Sequence, residues 1–544
     1  MFLFKQPFRY AGIFLGVSLA SIALAIYCWP LFDTDFWFEV FTLLISMTLS
    51  LGLLTYGLFR AHSWWIKTTS LVPGLALIAI IFALVFIAHA KYQVGASVHS
   101  FQSKEDHSNS ASRVLDLAYL KLSATHQSSA SPIIYLAGGP GWGGSTSLIT
   151  SGRARLFQVM RSISDVIVYD QRGTMPWAGD WLVCAETWQP SDFHAAFSPL
   201  SALQEQRKNI HSCAKEYSQQ GIKLSSYNTN NNAADLETLR LHLGVEKISL
   251  WATSYGTHLA LAYIKMYPQH VEKIIMHGVE GLNDTLKTPM QIQNILERIA
   301  SLAAKDSTIN THTPNLLGDI EELLDNAEAE KIILKFQNNN KDEVIKLSKF
   351  ELQFYLSQLL SSAHTSLSIP ARIAAAKRGN LSGFRDLAMQ MRTKRRESLM
   401  PFFMDCASHA SPQRLALIAQ QKPHTLLGDA INYPFPDICS AITADDLGSE
   451  FRSPTKSDVP VLFISGALDA RTPVENAQQA ALGFPNAQHL IIHGAGHGNE
   501  LFLSSEKIIQ AMLEFMKTEK TSVKEIAVPT HFLPLDSFTK KIND

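Results

Sequence analysis

Residues 10–32, 40–59 and 71–88 carry no charged side chain. A helix needs roughly 20 apolar residues to cross the hydrocarbon core, so the pattern predicts three transmembrane helices in residues 1–92. Lys5 and Arg9 precede the first run, and Arg60 and Lys67 lie between the second and third. The connection between the first two holds only Asp33, Asp35 and Glu39. Positive flanks stay in the cytoplasm, which puts the N-terminus inside and everything after Lys91 outside. Residues 88–90, Ala-His-Ala, also match a signal-peptidase site, and cleavage there would release the rest of the chain.

Beyond the apolar runs the pattern changes period. Residues 93–112, rich in Ser, His and Gln, read as a linker. Residues 114–122 alternate apolar and polar, as an outer antiparallel strand does. Short apolar runs at 132–136, 165–169, 248–252 and 272–277 read as buried strands, with an amphipathic helix over 234–243 capped by Asn231 or Asn232. Strands alternating with helices give an α/β fold with a mostly parallel sheet and helices on both faces. From 284 to 458 helical periodicity dominates without clear sheet strands, which predicts a helical lid inserted into the core. The cluster Arg392-Thr-Lys-Arg-Arg396 within it reads as a solvated helix end, or as a contact for substrate or anionic lipid. Strands resume at 459–465 and 489–493. The core is thus expected as 113–283 plus 459–544.

The chemistry sits at strand ends. Ala252-Thr-Ser-Tyr-Gly256 follows one strand and opens a helical run. Small residues two before and two after a serine permit the strained turn that exposes a nucleophile, here Ser254. Ala137-Gly-Gly-Pro-Gly-Trp-Gly-Gly144 follows an earlier strand and suits the loop that supplies one oxyanion-hole N–H, at Gly139. The second falls to Tyr255, which follows the serine. Asp469 lies in the loop after the 459–465 strand, and His497 stands between glycines after the next. The order Ser, Asp, His is that of the α/β-hydrolase fold.

Bulk properties narrow the function classes. With 47 basic and 48 acidic side chains the chain has no charge-based case for nucleic-acid binding. The five cysteines include no C-x-x-C pair, which argues against a zinc or redox motif, and a Ser-Asp-His centre needs no cofactor.

Gly138-Gly-Pro-Gly141, Asp170-Gln-Arg-Gly173, Asp235-Leu-Glu-Thr-Leu-Arg240, Ser254-Tyr-Gly-Thr257 and Gly466-Ala-Leu-Asp469 with Thr472-Pro473 together resemble the prolyl aminopeptidase and tripeptidyl-peptidase branch of the α/β-hydrolases. The sequence departs from that pattern at Ala137, at Ala252 and at Thr174-Met-Pro-Trp177. The resemblance implies an aminopeptidase that releases N-terminal residues from short peptides. It also implies carboxylates for the substrate's α-ammonium, with Glu280 and Asp405 as candidates. An esterase or lipase with the same triad is the alternative. Cys184, Cys213, Cys406 and Cys439 look like the two disulfides of the secreted members. Their places in the chain pair Cys184 with Cys213 and Cys406 with Cys439. The expected protein is a multi-pass inner-membrane hydrolase with its catalytic part on the periplasmic side, acting on a small peptide or ester.

Overall fold

The computed structural model describes residues 95–150, 152–175, 180–189, 193–338 and 341–538. The chain divides into two units, Met1–Ser97 and Val98–Asp544. The three expected membrane spans, and Cys28, lie outside the described residues. Among the described residues no helix is long and apolar enough to cross a membrane.

In chain order the core begins with strands β1 (Ala96–Lys104), β2 (Val114–Leu122), β3 (Ile133–Leu136) and β4 (Val166–Tyr169). Helix α1 (Gly144–Thr150) lies between β3 and β4. Next come α2 (Thr229–His242), β5 (Ile248–Ser254), α3 (Tyr255–Met266) and β6 (Val271–Val279). An insertion follows, with α4 (Pro289–Lys305), α5 (Leu316–Glu328), a hairpin β7 (Ile333–Asn338) and β8 (Lys341–Lys346), α6 (Lys349–Leu359) and α7 (Met400–Ser408) among its elements. The core closes with β9 (Val461–Gly466), β10 (Ala487–His493), α8 (Glu506–Thr518) and β11 (Glu525–Ala527).

The nine-stranded sheet runs β1-β2-β4-β3-β5-β6-β9-β10-β11. β2 is antiparallel to β4, while the pairs from β4 through β11 are parallel. β3, β4 and β9 are buried along their whole length. Such strands read as unbroken apolar runs because helices cover both faces. The reversal of strand order around β3 and β4 brings the C-terminal ends of β3, β5 and β6 side by side, where α/β sheets bind ligands.

Three expectations differ from the structure. Residues 93–112 are not a linker throughout, since β1 forms the sheet edge. Its end is tied down by Ser103 Oγ donating to buried Asp235, and the turn after it by Glu105 pairing with Arg113. Strong side-chain anchors override the polar composition that suggested a linker. The insertion does contain strands, the antiparallel β7–β8 hairpin. Its alternation is short and bracketed by helices, which hid it. Helix α2 starts earlier than expected, because the Asn228 side chain accepts from the Asn231 N–H and caps it.

The basic cluster at 392–396 is split. Arg392 is buried against Glu351 and donates to the Phe193 and Ala195 carbonyls, while Lys394 and Arg396 are exposed. Arg395 lies over the Trp188 ring at 4.9 Å.

Candidate active site

Ser254 ends β5 at φ 54°, ψ −125°, and the chain turns there from strand directly into α3. That conformation is costly for a residue with a side chain and persists only where neighbours enforce it. Gly256 shows the enforcement, since a Cβ there would lie 2.2 Å from the Leu136 carbonyl oxygen. Gly138 packs on the other side, where a Cβ would meet the Ser254 Cβ at 2.9 Å. The elbow is thus wedged between β3 and the glycine-rich loop.

The sequence-predicted residues from three strand ends meet here. Ser254 Oγ is 3.0 Å from His497 Nε2, and His497 Nδ1 is 2.8 Å from Asp469 Oδ2. A carboxylate can only accept, so Nδ1 carries the proton and Nε2 is left to accept from the serine hydroxyl. Asp469 is held in turn, its Oδ1 accepting from the Arg471 and Thr472 N–H groups at 2.8 Å each. Thr472 Oγ1 donates to Asp469 Oδ2 at 2.7 Å and lies 2.9 Å from His497 Nδ1. The acid is fully buried, and the histidine side chain keeps 19% of its exposure, so the pair faces a reachable hydroxyl. The His497 N–H donates to the Ser361 carbonyl, just beyond α6.

The glycine-rich loop is pinned at both ends. Asp170 Oδ1 accepts from Ser145 N and Ser145 Oγ, at 2.9 and 2.8 Å. Gln171 Nε2 donates to the Ala137 carbonyl at 2.9 Å. Burial pushes the Asp170 carboxyl up to about 7, against the pull of the donors on Ser145 and Gly144. Gly139, at φ 119°, precedes a cis peptide bond to Pro140 and lies against the Trp142 ring.

Glu280 sits one residue past Val279, the register partner of Ser254, and its N–H donates to Thr257 Oγ1. Its Oε2 accepts from Lys287 Nζ at 2.9 Å. Asp405 lies on α7, whose Met404 sulfur touches the Tyr255 hydroxyl at 3.1 Å. Burial, then the charge of Glu280, raises the Asp405 pKa well above the ordinary range, with Lys287 pulling the other way. Glu280 is thus tied to the first turn of α3, and Asp405 is carried by the helix that packs on Tyr255. Behind them, His258 Nδ1 donates to the Gly281 carbonyl and its Nε2 accepts from Ser408 Oγ, joining α3 to α7.

Cys184 is bonded to Cys213 and Cys406 to Cys439, with Cα atoms 5.5 and 5.4 Å apart. Among the described residues no group of three or more His, Cys, Asp or Glu is placed to hold a metal ion. Gly138 and Thr472, which hold the elbow and the acid, enter the sequence analysis only as members of motifs, and Lys287, the partner of Glu280, does not enter it. In the sequence Lys287 is an unremarkable charge at the edge of the insertion.

A family model described as alpha/beta hydrolase fold matches residues 210–499. The tripeptidyl aminopeptidase of Streptomyces coelicolor is 28% identical over 156 residues, which cover 27% of this chain and 28% of that protein. A probable proline iminopeptidase of the same organism is 39% identical over 56 residues, 10% of this chain and 17% of that one. The putative hydrolase YuaR of Escherichia coli is 23% identical over 399 residues, 70% of this chain and 76% of that one. The chain therefore matches little more than a quarter of the length of the tripeptidyl aminopeptidase. Among solved structures, Rv0554 from Mycobacterium tuberculosis aligns with a TM-score of 0.33 at 15% identity, covering 78% of this chain and all of that one.

Proposed function

The chain belongs to the alpha/beta hydrolase fold family, and from that premise we propose that it is a membrane-anchored, extracytoplasmic serine aminopeptidase acting on short peptides. The observation that carries the chemistry is the hydrogen-bonded line Ser254–His497–Asp469 at 3.0 and 2.8 Å. His497 Nε2 takes the proton of Ser254 as the oxygen attacks the acyl carbon, and Asp469 stabilises the imidazolium. Backbone N–H groups at Gly139 and Tyr255 receive the oxyanion, each worth ~3 kcal/mol of barrier. His497 then protonates the leaving amine, and water resolves the acyl-enzyme by the reverse sequence.

What supports a peptide over other acyl substrates is the carboxylate pair beside the elbow. An N-terminal ammonium held by Asp405 and Glu280 would set its own carbonyl, or one a few residues on, against Ser254. The named relatives add to that reading. The ester-hydrolase alternative draws on one observation, that Glu280 already has a cation at 2.9 Å. Anchoring rests on the three charge-free runs, and the compartment on their flanking charges and on two disulfides, which persist outside the cytoplasm.

The test compares aminoacyl arylamides with simple aryl esters, using a fluorophosphonate to label the nucleophile. The parent should cleave the arylamide and take the label, and Ser254→Ala should do neither while staying folded. Label retained by Ser254→Ala would overturn the nucleophile. Turnover of esters alone would overturn the peptidase reading.

A further inference from the structure

The glycine-rich loop carries one side chain that faces outward. From Gly138 to Gly144 every residue is glycine except Pro140, which is buried, and Trp142, which is 59% exposed. A lone apolar residue on a surface needs no explanation, but place and rigidity set this one apart. Its ring lies against the exposed Gly139, where a Cβ would come within 3.1 Å of the indole Cδ1. One residue earlier, a Cβ at Gly138 would meet the Ser254 Cβ at 2.9 Å. Only glycine therefore stands between the ring and the nucleophile.

The backbone that carries the ring is clamped on both sides. Gly141, at φ 100°, packs on the first turn of α7, where a Cβ would lie 3.1 Å from Pro401 Cγ. A Cβ at Gly143 would collide with Asp170 Oδ1, the oxygen that also accepts from Ser145. Neither neighbour of Trp142 can shift without disturbing α7 or the end of β4. A large aromatic held open by a fixed backbone loses little freedom on meeting a ligand, which favours such residues in binding sites.

We propose that Trp142 is a specificity-determining residue that receives a flat apolar or aromatic group of the substrate beside the scissile carbonyl. This rests on the reading of Ser254 as the nucleophile of acyl transfer and of Gly139 as an oxyanion donor. The carbonyl oxygen of a bound substrate sits about 3 Å from the Gly139 nitrogen. A group bonded to the carbonyl carbon then falls within reach of the ring. Contact with the indole removes apolar area of both partners from water, and an aromatic group adds the edge or offset stacking of paired rings. No charge is involved, so the preference acts on the body of the substrate and is independent of its termini.

The experiment uses the full chain and three esters that a serine peptidase and an esterase both take: alanine ethyl ester, phenylalanine ethyl ester and alanine benzyl ester. The second adds a ring on the acyl side and the third on the leaving side. For the parent, Trp142→Ala and Trp142→Phe, kcat/KM of each aromatic ester is divided by that of alanine ethyl ester. Intrinsic reactivity then cancels between variants. Trp142→Ala should lower at least one of the two ratios about tenfold, through KM rather than kcat, as the loss of a binding contact does. Trp142→Phe keeps an aromatic face and should stay within about threefold of the parent. The side on which the ratio falls identifies the part of the substrate that the ring meets. Ratios that both stay put or rise, an equal loss on all three esters included, overturn this inference and leave the acyl-enzyme reading standing. A parent that turns over none of the three, or takes no fluorophosphonate, overturns that reading, and this inference with it.

Discussion

At the scale of single residues the site is a set of obligations met by neighbours. Ser254 can hold φ 54° because Gly256 lets the Leu136 carbonyl come close. That much was legible, since small residues around a serine between strand and helix have few other uses. Thr472 was not legible as a participant, because its value lies in a hydroxyl reaching Asp469 Oδ2 across three residues of loop. Thr472→Val should lower kcat about tenfold with KM within about twofold, since it frees the acid and imidazole to reorient without touching the substrate. An equal fall in ester and amide turnover checks it, and unchanged kcat would refute the role. Asp170 makes a different prediction. Its folded pKa, about 7, is raised from the unfolded 3.8, so between these values the folded protein keeps a proton that the unfolded chain has lost. Stability therefore falls as pH rises through that window, by on the order of 4 kcal/mol from this group. Asp170→Asn stays neutral and should flatten the slope of urea midpoints between pH 5 and 7. Parallel slopes for parent and variant would reject this.

At the scale of elements, the strands of the sheet were legible because a buried strand writes an uninterrupted apolar run. The insertion was legible only as helical. Its hairpin, β7–β8, exposes Ile333 and Val344 and so lacks the clean alternation that marks a half-buried strand. Nor could the sequence show how the insertion meets the catalytic loop. The Ser361 carbonyl accepts from His497 N–H, and a Cβ at Gly496 would lie 2.4 Å from Ala363 N. The histidine loop is thus seated on the insertion itself. The C-terminal segment reinforces that seat. After β11 it crosses to the insertion, where Leu533 N–H donates to the Leu367 carbonyl and Arg372 lies over the Phe538 ring at 4.8 Å. Phe532 and Leu535 pack on the insertion's apolar core. Ending the chain after Thr530 should cost roughly 2–3 kcal/mol of stability from that lost burial. It should also lower kcat, because the loosened insertion carries Ser361. Limited proteolysis would register new cuts within residues 363–391, and an unchanged digest with unchanged kcat would argue against the coupling.

At the scale of the whole molecule, the parallel sheet brings together residues more than 240 positions apart, and two covalent ties secure the segments that the sheet does not reach. Cys184–Cys213 joins the segment after β4 to the Pro199–Gln219 helix. Cys406–Cys439 ties α7 to a stretch of short turns at 437–441. On the proposed reading the second tie matters more for function, because α7 carries Asp405 and supplies Met404 against Tyr255. The pairing was legible from position in the chain, whereas the proximity of α7 to the elbow was not, since 150 residues separate them in sequence. These bridges also bear on where the protein works, as such bonds persist outside the cytoplasm and are kept reduced within it. Reporter fusions after Phe32, His62 and residue 100 should accordingly read outside, inside and outside, and a cytoplasmic signal from the last would move the catalytic part to the other side. In the chain-entropy picture, closing a loop of 33 residues stabilises by roughly 3–4 kcal/mol, so replacing Cys406 and Cys439 together by Ser should cost about that much. The loss should appear first around α7, as faster amide exchange there and as a fall in free-amine hydrolysis steeper than in ester hydrolysis, because Asp405 is set by that helix. Equal losses on both substrates would mean that the bridge supports the molecule as a whole and not the amine end of the site in particular.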